Sequence, residues 1–382
     1  MKKMWTKFIA GAALFLSISL TSSVVSAEEI KKQYLIGFEN QLQVTEFLEA
    51  TEKGNDQVSL FAEVNNDTVE MELLYEFEEI PVVSVELSPE DVQSLKKDPS
   101  IAYVEEDVEV KIANQTTPWG ITRVQAPTAL NRGFTGSGVR VAVLDTGIAT
   151  HSDLNIRGGV SFVSGEPGYQ DGNGHGTHVA GTIAALNNSI GVIGVAPNAE
   201  LYAVKVLGAN GSGSVSAIAQ GLQWSAQNNM HIANLSLGSP TGSQTLELAV
   251  NQANSAGVLV VAASGNNGSG TVSYPARYTN ALAVGATDQN NNRASFSQYG
   301  TGLNIVAPGV GVQSTYPGNR YASLNGTSMA TPHVAGVAAL VKQKNPSWSN
   351  TQIRNHLLNT ATSLGSSTQF GSGLVNAEAA TR

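Results

Sequence analysis

The sequence predicts an α/β protein with a parallel central sheet covered by helices on both faces, preceded by a small α+β domain. From Asn114 onward, near-continuous apolar runs such as 139–144 and 201–206 alternate with helical stretches such as 215–227. Strands that are apolar on both faces and separated by helices are typical of buried parallel sheets. The other predicted strands are 232–235, 258–262, 281–284 and 303–306, and the other predicted helices are 175–186, 245–256 and 351–360.

The N-terminus has the pattern of a secretory signal peptide. Three lysines within the first seven residues are followed by an apolar run at 8–20 and by Val25-Ser26-Ala27, a small-x-small cleavage pattern. The apolar run is too short to span a bilayer, and no later stretch is long and apolar enough to do so. We therefore expect a signal peptide at 1–27, secretion into the extracellular medium and no membrane anchor.

Residues 28–113 are predicted to form the small α+β domain. Segments 34–38, 80–85 and 101–104 have strand composition. Ser88 and Pro89 precede two acidic residues, which is the pattern of a helix start. The last six residues, 108–113, look extended and predict a linker.

Charge separates this segment from the rest of the chain. Residues 28–113 carry 22 acidic and 6 basic side chains, a net charge of −16, whereas residues 114–382 carry 12 basic and 8 acidic, a net charge of +4. Opposite charges in one precursor indicate a segment that docks on the rest and is later removed. The modest positive balance without a run of Lys or Arg argues against nucleic acid as a partner.

The chain contains no cysteine. A secreted protein without disulfides must be stabilised by its core, to which metal ions could add. The absence of cysteine also excludes a thiol nucleophile.

Ser328 lies at the predicted start of a helix that is small and apolar on every face. The segment 326–333, with Pro332 expected in its first turns, leads into the apolar run 334–341, so the helix is predicted to begin at Thr327 or Ser328. Free backbone N–H groups and the helix dipole favour negative charge there. Taken alone, Ser328 could equally be an ordinary N-cap.

Two further residues complete a candidate catalytic set. Asp145 ends the apolar strand 139–144, and His175 begins a predicted helix after a Gly- and Asn-containing segment. A hydroxyl nucleophile needs an imidazole to take and return its proton and a carboxylate to hold that imidazole's tautomer. A Gly-x-Ser-x-Gly elbow is excluded, because Ala330 stands where the second glycine belongs.

In order and spacing, the motifs around Asp145, His175 and Ser328 resemble those of the subtilisin family. Residues 114–382 resemble its high-alkaline members over their whole length, and residues 28–113 resemble the family's propeptide, an inhibitor and folding helper. The resemblance implies a monomeric serine endopeptidase of broad specificity that works through an acyl-enzyme. It also implies protein and peptide substrates, and a zymogen that removes its own propeptide.

The resemblance also implies the oxyanion donor and the substrate cleft. Asn266 matches the family's oxyanion amide, with the backbone N–H of Ser328 as second donor; without the resemblance it would be a turn residue like Asn267. Small residues without charge indicate a roomy, apolar cleft. The residues expected to line it are Ser236, Leu237, Gly238, Ala263, Ser264 and Gly265, with Gly211, Gly213 and Val215 on the edge that pairs with substrate.

A structural Ca²⁺ is implied by the segment 186–192, which resembles the family's tight calcium loop. All-oxygen cages of this kind suit calcium. The implied ligands are the carbonyl oxygens of Leu186, Ile190 and Val192 and the side chains of Gln115, Asp153 and Asn188. A weaker cation site is implied at the carbonyl oxygens of Ala276, Tyr278 and Ala281.

Two other interpretations are weighed against this one. His175 and His178 are three residues apart and could suggest metal ligands, but the zincin pattern needs a glutamate that is missing here, so we expect His178 to face the core. A calcium-dependent binding protein that kept the fold without the chemistry is opposed by the intact Asp145, Ser328 and Asn266. A metallohydrolase is the third alternative.

Overall fold

The structure, a computed structural model, describes residues 31–53, 59–64, 67–108 and 114–382. The chain divides into two compact units, one up to Lys111 and one from Ile112. The predicted signal peptide at 1–27 and residues 109–113 of the predicted linker lie outside the described residues, so the boundaries after residues 27 and 113 remain predictions. None of the described helices is long and apolar enough to cross a membrane.

The first unit is a six-stranded antiparallel sheet with two helices. The elements are β1 (Lys32–Gly37), α1 (Gln41–Ala50), β2 (Glu52–Lys53), β3 (Ser59–Val64), β4 (Asp67–Glu76), β5 (Val82–Leu87), α2 (Pro89–Leu95) and β6 (Tyr103–Glu106). The strand order in the sheet is β2-β3-β4-β5-β1-β6. The predicted α+β class is confirmed, although α1, β3 and β4 had not been predicted.

Local signals explain the well-predicted elements of this unit. Ser88 caps α2, since its hydroxyl accepts the backbone N–H of Asp91 at 3.2 Å. Val83, Val85 and Leu87 of β5 are buried in the unit's core together with Ile36 of β1. By contrast, β4 is mostly exposed and rich in acidic residues, so its sequence lacks the apolar run that marks a strand.

The second unit is built on a seven-stranded sheet. Its first elements are α3 (Trp119–Arg123), α4 (Ala126–Asn131), β7 (Arg140–Asp145), β8 (Ile156–Ser161), α5 (His175–Ala184), β9 (Glu200–Lys205), α6 (Val215–Gln227) and β10 (Ile232–Leu235). They are followed by α7 (Gln244–Ser255), β11 (Leu259–Ala263), β12 (Ala281–Thr287), β13 (Ile305–Pro308), β14 (Val312–Tyr316), β15 (Arg320–Leu324), α8 (Thr327–Lys344), α9 (Asn350–Asn359), α10 (Ser367–Phe370) and α11 (Ala377–Ala380).

The seven strands are parallel, in the order β13-β12-β11-β10-β7-β9-β8, and β14 and β15 form a separate hairpin. Each face of the sheet has its own core. Val141 and Val143 of β7 belong to the core that contains α5 and α8, whereas Ala142 and Leu144 belong to the core that contains α6 and α7. The predicted parallel sheet with helices on both faces is thus confirmed.

Strand β7 lies where the strand order reverses. The chain runs from β7 to β8 and β9 on one side, then crosses to β10 on the other. In open parallel sheets the crevice at the carboxyl ends of such strands is where ligands bind. Asp145, the last residue of β7, therefore stands at this crevice.

Several elements of this unit are not predicted from the sequence. They are the short helices α3, α4, α10 and α11, the β14–β15 hairpin and the edge strand β8. Strand β8 contains an arginine and two glycines instead of an apolar run. The long helix α8 begins at Thr327, as predicted, and is buried at nearly every position up to Val341.

Candidate active site

The carboxyl end of β7 places Asp145 fully inside the protein. Its Oδ1 accepts the backbone N–H of Thr146 at 2.7 Å and lies 2.7 Å from Nδ1 of His175. Its other oxygen, Oδ2, is buried without a hydrogen-bond partner among the described residues. The carboxylate is therefore directed at one ring nitrogen of His175.

His175 is the first residue of α5, and its side chain is 27% exposed. Burial lowers the pKa of His175, but the charge of Asp145, the hydrogen bond to it and the charge of Asp171 outweigh burial and leave that pKa above the usual value. The bond to Asp145 fixes Nδ1 as the protonated nitrogen of the neutral ring, because a carboxylate accepts and does not donate. Nε2 is then the basic nitrogen.

Ser328 is the second residue of α8. In the described part of the chain its hydroxyl donates to the carbonyl oxygen of Ser236 at 3.1 Å and not to His175. Catalytic hydrogen bonds are often long or unformed without substrate and form in the complex, so this geometry does not remove Ser328 from the set. A change of its χ1 rotamer would redirect the hydroxyl.

Pro332 is the sixth residue of α8 and lies in its second turn, within the first turns in which it was expected. Proline has no N–H, so the carbonyl oxygen of Ser328 receives no helical hydrogen bond from it. The hydroxyl of Ser236 donates to this carbonyl at 2.8 Å instead, and Asn234 Nδ2 donates to the same hydroxyl at 3.0 Å.

Asn266 is held by the first residue of α8. Its Oδ1 accepts both the backbone N–H and the hydroxyl of Thr327 at 2.8 Å, which leaves Nδ2 free to donate elsewhere. Nδ2 of Asn266 and the backbone nitrogen of Ser328 both lie 3.5 Å from the point where a Cβ would stand on Gly326. The two nitrogen atoms therefore lie close to one point beside Gly326.

Two adjoining cavities connect these residues to the predicted cleft. Every predicted wall residue except Ser264 lines one of them. A cavity of about 460 Å³ is lined by His175, Gly211, Gly213, Val215, Ser236, Leu237 and Gly238. A second, of about 280 Å³, is lined by Leu237, Gly238, Ala263, Gly265, Asn266 and Ser328.

Ser264 is placed differently from the other wall residues. It is fully buried, and its hydroxyl donates to the carbonyl oxygen of Gln298 at 3.0 Å. Among the described residues around the two cavities there is no aspartate, glutamate, lysine or arginine. The walls therefore offer no charge with which to select a charged substrate side chain.

His178 faces the core, as predicted. Its Nε2 lies 2.8 Å from the carbonyl oxygen of Val312 and 3.1 Å from that of Ala322, and the ring is fully buried. Burial lowers the pKa of His178 to about 4, although the hydrogen bonds to the two carbonyls oppose this. His178 is therefore a neutral structural histidine, and the two histidines of α5 do different things.

Oxygen atoms of the predicted calcium loop converge on the side-chain amide of Gln115. Its Nε2 lies 2.6 Å from Leu186 O, 3.3 Å from Asn188 Oδ1, 3.3 Å from Ile190 O and 3.1 Å from Val192 O. An amide NH₂ has two hydrogens and cannot satisfy four acceptors. Rotation of the amide would add its own oxygen to the cage, so this donor set fits a hard cation.

Asp153 supplies the carboxylate next to this loop. Asn188 Nδ2 donates to its Oδ1 at 2.8 Å, and Val192 N and Tyr321 Oη donate to its Oδ2 at 3.0 and 3.2 Å. Burial raises the pKa of Asp153, and these three hydrogen bonds oppose that rise. A cation beside the carboxylate would also favour the charged form.

The second predicted cation site is less defined. Tyr278 O accepts the backbone N–H of Ala281 at 3.0 Å, and all three residues are buried. In the part of the chain that the structure describes, no contact brings the carbonyl oxygens of Ala276, Tyr278 and Ala281 to a common point. The site stays a prediction.

Two residues at the site were missed by the sequence reasoning. Thr327 orients Asn266, and Asp171 accepts hydrogen bonds around the start of α5. Both lie inside segments already singled out. The available signal was a glycine in the N-cap position of each helix. Because glycine has no side chain with which to cap, another residue must accept the N–H groups of the first turn.

Comparisons with known proteins agree with this geometry. The subtilase family, Peptidase S8, matches residues 136–373, and the peptidase inhibitor I9 family matches residues 33–113. The chain is 73% identical over 383 residues to the alkaline protease of Alkalihalobacillus alcalophilus, covering all of both chains. It is 70% identical, with the same coverage, to alkaline elastase YaB of Bacillus sp. strain YaB. Subtilisin Savinase of Lederbergia lenta is 82% identical over 268 residues, 70% of this chain and all of its own.

The fold and the site define a serine peptidase on a parallel α/β sheet. The chain belongs to the subtilase family, as a precursor of the high-alkaline subtilisin type with an inhibitor domain ahead of the peptidase domain. It is a serine endopeptidase made as a zymogen. The predicted family, fold class and enzyme class are confirmed.

Proposed function

We propose that Asp145, His175 and Ser328 are the catalytic triad of this endopeptidase. The observation that carries the proposal is the 2.7 Å contact between His175 Nδ1 and Asp145 Oδ1. Ser236, which lines the same cavity as His175, is hydrogen-bonded to Ser328. His175 Nε2 takes the proton of the Ser328 hydroxyl as the oxygen attacks the scissile carbonyl, then gives it to the leaving amine. Asp145 stabilises the imidazolium that forms between these steps. Water then releases the acyl group from Ser328.

The oxyanion of each tetrahedral intermediate would be bound by Asn266 Nδ2 and the backbone N–H of Ser328. Their common approach to one point beside Gly326 supports this role. Thr327 holds the amide with its oxygen turned away, so the donor is oriented before the substrate arrives. Donors fixed in advance favour the charge that develops in the transition state.

Broad specificity follows from the uncharged cavity walls. Leu237, Gly238, Ala263 and Gly265 leave room for an apolar side chain before the scissile bond, and Gly211 and Gly213 offer an edge to which an extended peptide can pair. We expect His175 to act as a base only when neutral. Because its pKa is raised, the rate should rise with pH through a value above the usual one near 6.5.

The test of the triad uses Ser328→Ala, with Ser349→Ala as the matched control. Ser349 caps α9 with a hydroxyl that accepts Gln352 N at 3.2 Å. Ser349→Ala should lose about 1 kcal/mol of stability with its cap and keep its activity. If Ser328 had only a structural role, Ser328→Ala would likewise keep its activity. We expect Ser328→Ala to lower kcat roughly 10⁶-fold, the scale known from subtilisin itself, and to abolish labelling by a phosphonylating reagent. Activity retained in folded Ser328→Ala protein would refute the triad.

The same variant tests self-processing, which we place near Ala113-Asn114. In a secreting host without other proteases, Ser328→Ala protein should lose residues 1–27 and keep residues 28–113. Added wild-type enzyme should then trim it to a chain beginning near Asn114. Normal cleavage of Ser328→Ala protein in that host would assign processing to another enzyme, and N-terminal sequencing would also fix both boundaries.

We propose a structural Ca²⁺ at the loop formed by residues 186–192. When bound, the ion holds its oxygen ligands together and enters no chemical step. Gln115, Asp153 and Asn188 would supply side-chain oxygens, and Leu186, Ile190 and Val192 would supply carbonyl oxygens. Because the folded state alone forms this cage, the ion would stabilise it by mass action.

Chelation should therefore shorten the half-life at elevated temperature while the initial rate on a small peptide barely changes. Asp153→Asn should weaken calcium binding, measured by titration calorimetry in the Ser328→Ala background. An immediate, calcium-reversible loss of initial rate would point instead to a catalytic metal.

A further inference from the structure

Asp171 is a buried carboxylate that accepts five hydrogen bonds around the start of α5. Its side chain is 7% exposed. Its Oδ1 accepts Asn173 N at 2.9 Å, Gly174 N at 2.8 Å and Thr146 Oγ1 at 2.8 Å. Its Oδ2 accepts Thr177 N at 2.9 Å and Thr177 Oγ1 at 2.6 Å. Both carboxylate oxygens therefore accept more than one hydrogen bond, and the donors come from three separate parts of the chain.

These bonds join the start of α5 to the end of β7. Thr146 directly follows Asp145, and its hydroxyl donates to Asp171 while accepting the backbone N–H of Gly176 at 2.9 Å. Gly176 directly follows His175. One carboxylate and one hydroxyl thus connect the residue after Asp145 with the residues on both sides of His175.

The local sequence explains why the acceptor comes from outside the helix. The N-cap of α5 is Gly174, with φ 106° and no side-chain cap. A Cβ on Gly174 would overlap the ring of Tyr316, so no larger capping residue fits there. Asp171, three residues earlier, accepts the backbone N–H of Thr177, which an N-cap side chain would otherwise accept.

We propose that Asp171 is a positioning residue that holds His175 against Asp145 and, by its negative charge, supports the imidazolium formed during turnover. The proposal rests on the proposed role of His175 as the base. Without Asp171, the first turn of α5 would lose its acceptor and the ring could leave the line between Asp145 and Ser328. Small displacements of a catalytic group can cost up to about 10²-fold in rate.

The charge of Asp171 adds to that of Asp145 in raising the pKa of His175. Other titratable or charged groups lie on the elements packed against α5. Among them are Lys205 at the end of β9, Tyr316 of β14, His178 on α5 itself and His333 of α8, with Glu166 paired to Lys205 at 3.0 Å. None of these changes in the variants below, so a shift of the acid limb would report the charge at position 171.

The experiment compares Asp171→Asn, Asp171→Glu and the control Asp288→Asn in the mature enzyme. Asp288 is also a loop carboxylate that accepts backbone N–H groups, from Asn290 and Asn292, but it is only partly buried. We expect Asp171→Asn to lower kcat roughly ten- to hundredfold with little change in KM. The acid limb of kcat/KM should move to lower pH. Asp171→Glu should keep the limb in place while kcat falls, and Asp288→Asn should change neither.

Folded Asp171→Asn enzyme with kcat within about twofold of wild type and an unmoved acid limb would overturn the proposal and leave Asp171 a structural cap. If Asp171→Asn does not fold, Thr146→Val breaks the same connection more gently, and unchanged kcat and limb in that variant would equally overturn it. His175→Ala separates the two proposals, because high activity there would refute the triad whatever Asp171 does.

Discussion

The two helices that begin at the active site, α5 and α8, meet the same structural need in different ways. Each follows a glycine in the N-cap position, Gly174 with φ 106° and Gly326 with φ 153°, and neither glycine can cap the first turn. The acceptor therefore comes from elsewhere. It is the carboxylate of Asp171 for α5 and the amide oxygen of Asn266 for α8.

The difference matches the charge that each helix end must face in the proposed mechanism. A helix N-terminus carries a partial positive charge. At α5 that charge opposes an imidazolium on His175, and the negative Asp171 offsets it. At α8 the same partial charge favours an oxyanion, so a neutral acceptor such as Asn266 satisfies Thr327 without cancelling it. The anionic acceptor thus lies at the helix that faces a positive charge, and the neutral acceptor lies at the helix that faces a negative charge.

Of the changes to the two acceptors, the replacement of the neutral acceptor Asn266 at α8 is expected to have the larger effect on kcat. Asn266→Leu removes the donor and should lower kcat by roughly 10²–10³, the size this donor has in subtilisin itself, with little change in KM. Asn266→Asp keeps an acceptor for Thr327 but places a negative charge beside the oxyanion, so its kcat at pH 8 should be lower still. Peptide hydrolysis measured over a range of substrate concentrations gives both constants.

The reverse substitution at the other helix, Asp171→Asn, is the partner of this experiment. If Asn266→Asp were more active than Asn266→Leu, the match between acceptor charge and reaction charge would be wrong. If only KM rose in Asn266→Leu, the amide would bind substrate in the ground state and would not be the oxyanion donor.

A helix or strand could be predicted from the sequence where its own segment contains the apolar run or the capping residues that mark it. The strands of the parallel sheet are apolar on both faces, and Ser88 and Pro89 mark the start of α2, so these elements could be predicted. Strand β8 could not be, because a glycine-rich edge strand takes its pairing with β9 from the fold. Strand β4 differs, because buried Val69 and Met71 alternate with exposed glutamates, and this period-two signal was available in the sequence but was not used.

Contacts between distant segments set the rest of the site. Asn266 and Thr327 are 61 positions apart, and Thr146 and Asp171 are 25 apart, so no local pattern reveals that each pair is bonded. Ser264 shows the converse. It lies in a segment expected to line the cleft, yet its side chain is buried against Gln298, because alternate residues of an extended chain point to opposite sides.

Each of the two helices also contains a fully buried histidine, and these two histidines should limit stability in acid. His178 of α5 and His333 of α8 are fully buried, and burial lowers the pKa of each to about 4. In each ring one nitrogen is bonded to a backbone carbonyl, and the other, His178 Nδ1 or His333 Nε2, has no partner among the described residues. Protonation would therefore bury an unpaired cationic N–H.

The sign of the effect follows from proton binding. Between pH 6.5 and 4 the unfolded chain binds a proton at each of these positions and the folded chain does not, so stability is present above pH 6.5 and falls as the pH drops. The loss is about 3 kcal/mol for each histidine. His333→Gln should reduce the loss between pH 6.5 and 4 by that amount, measured by urea unfolding in the Ser328→Ala background. An unchanged pH slope, equal to that of the control His356→Gln on α9, would contradict it.

The smallest effect concerns a carbonyl group near the start of α8 that receives no helical hydrogen bond. In α5 the N–H of His178 reaches the carbonyl oxygen of Gly174 at 3.1 Å, whereas in α8 Pro332 has no N–H for the carbonyl oxygen of Ser328. The hydroxyl of Ser236 fills that gap at 2.8 Å. Ser236→Ala leaves the carbonyl without this donor and should cost about 1–3 kcal/mol of unfolding free energy.

The matched control is Ser225→Ala in α6. Ser225 is also fully buried, and its hydroxyl donates to the carbonyl oxygen of Gly221 at 2.7 Å. No proline interrupts that helix, so the Gly221 carbonyl keeps its helical N–H donor when the hydroxyl is removed. Ser236→Ala should therefore lose more stability than Ser225→Ala, and it alone should lower kcat, by a few-fold, because the turn that carries Ser328 loosens. Equal losses of stability with an unchanged kcat would show that the Ser236 hydroxyl does not take the place of the missing N–H, and that the turn is held by the packing of α8 alone.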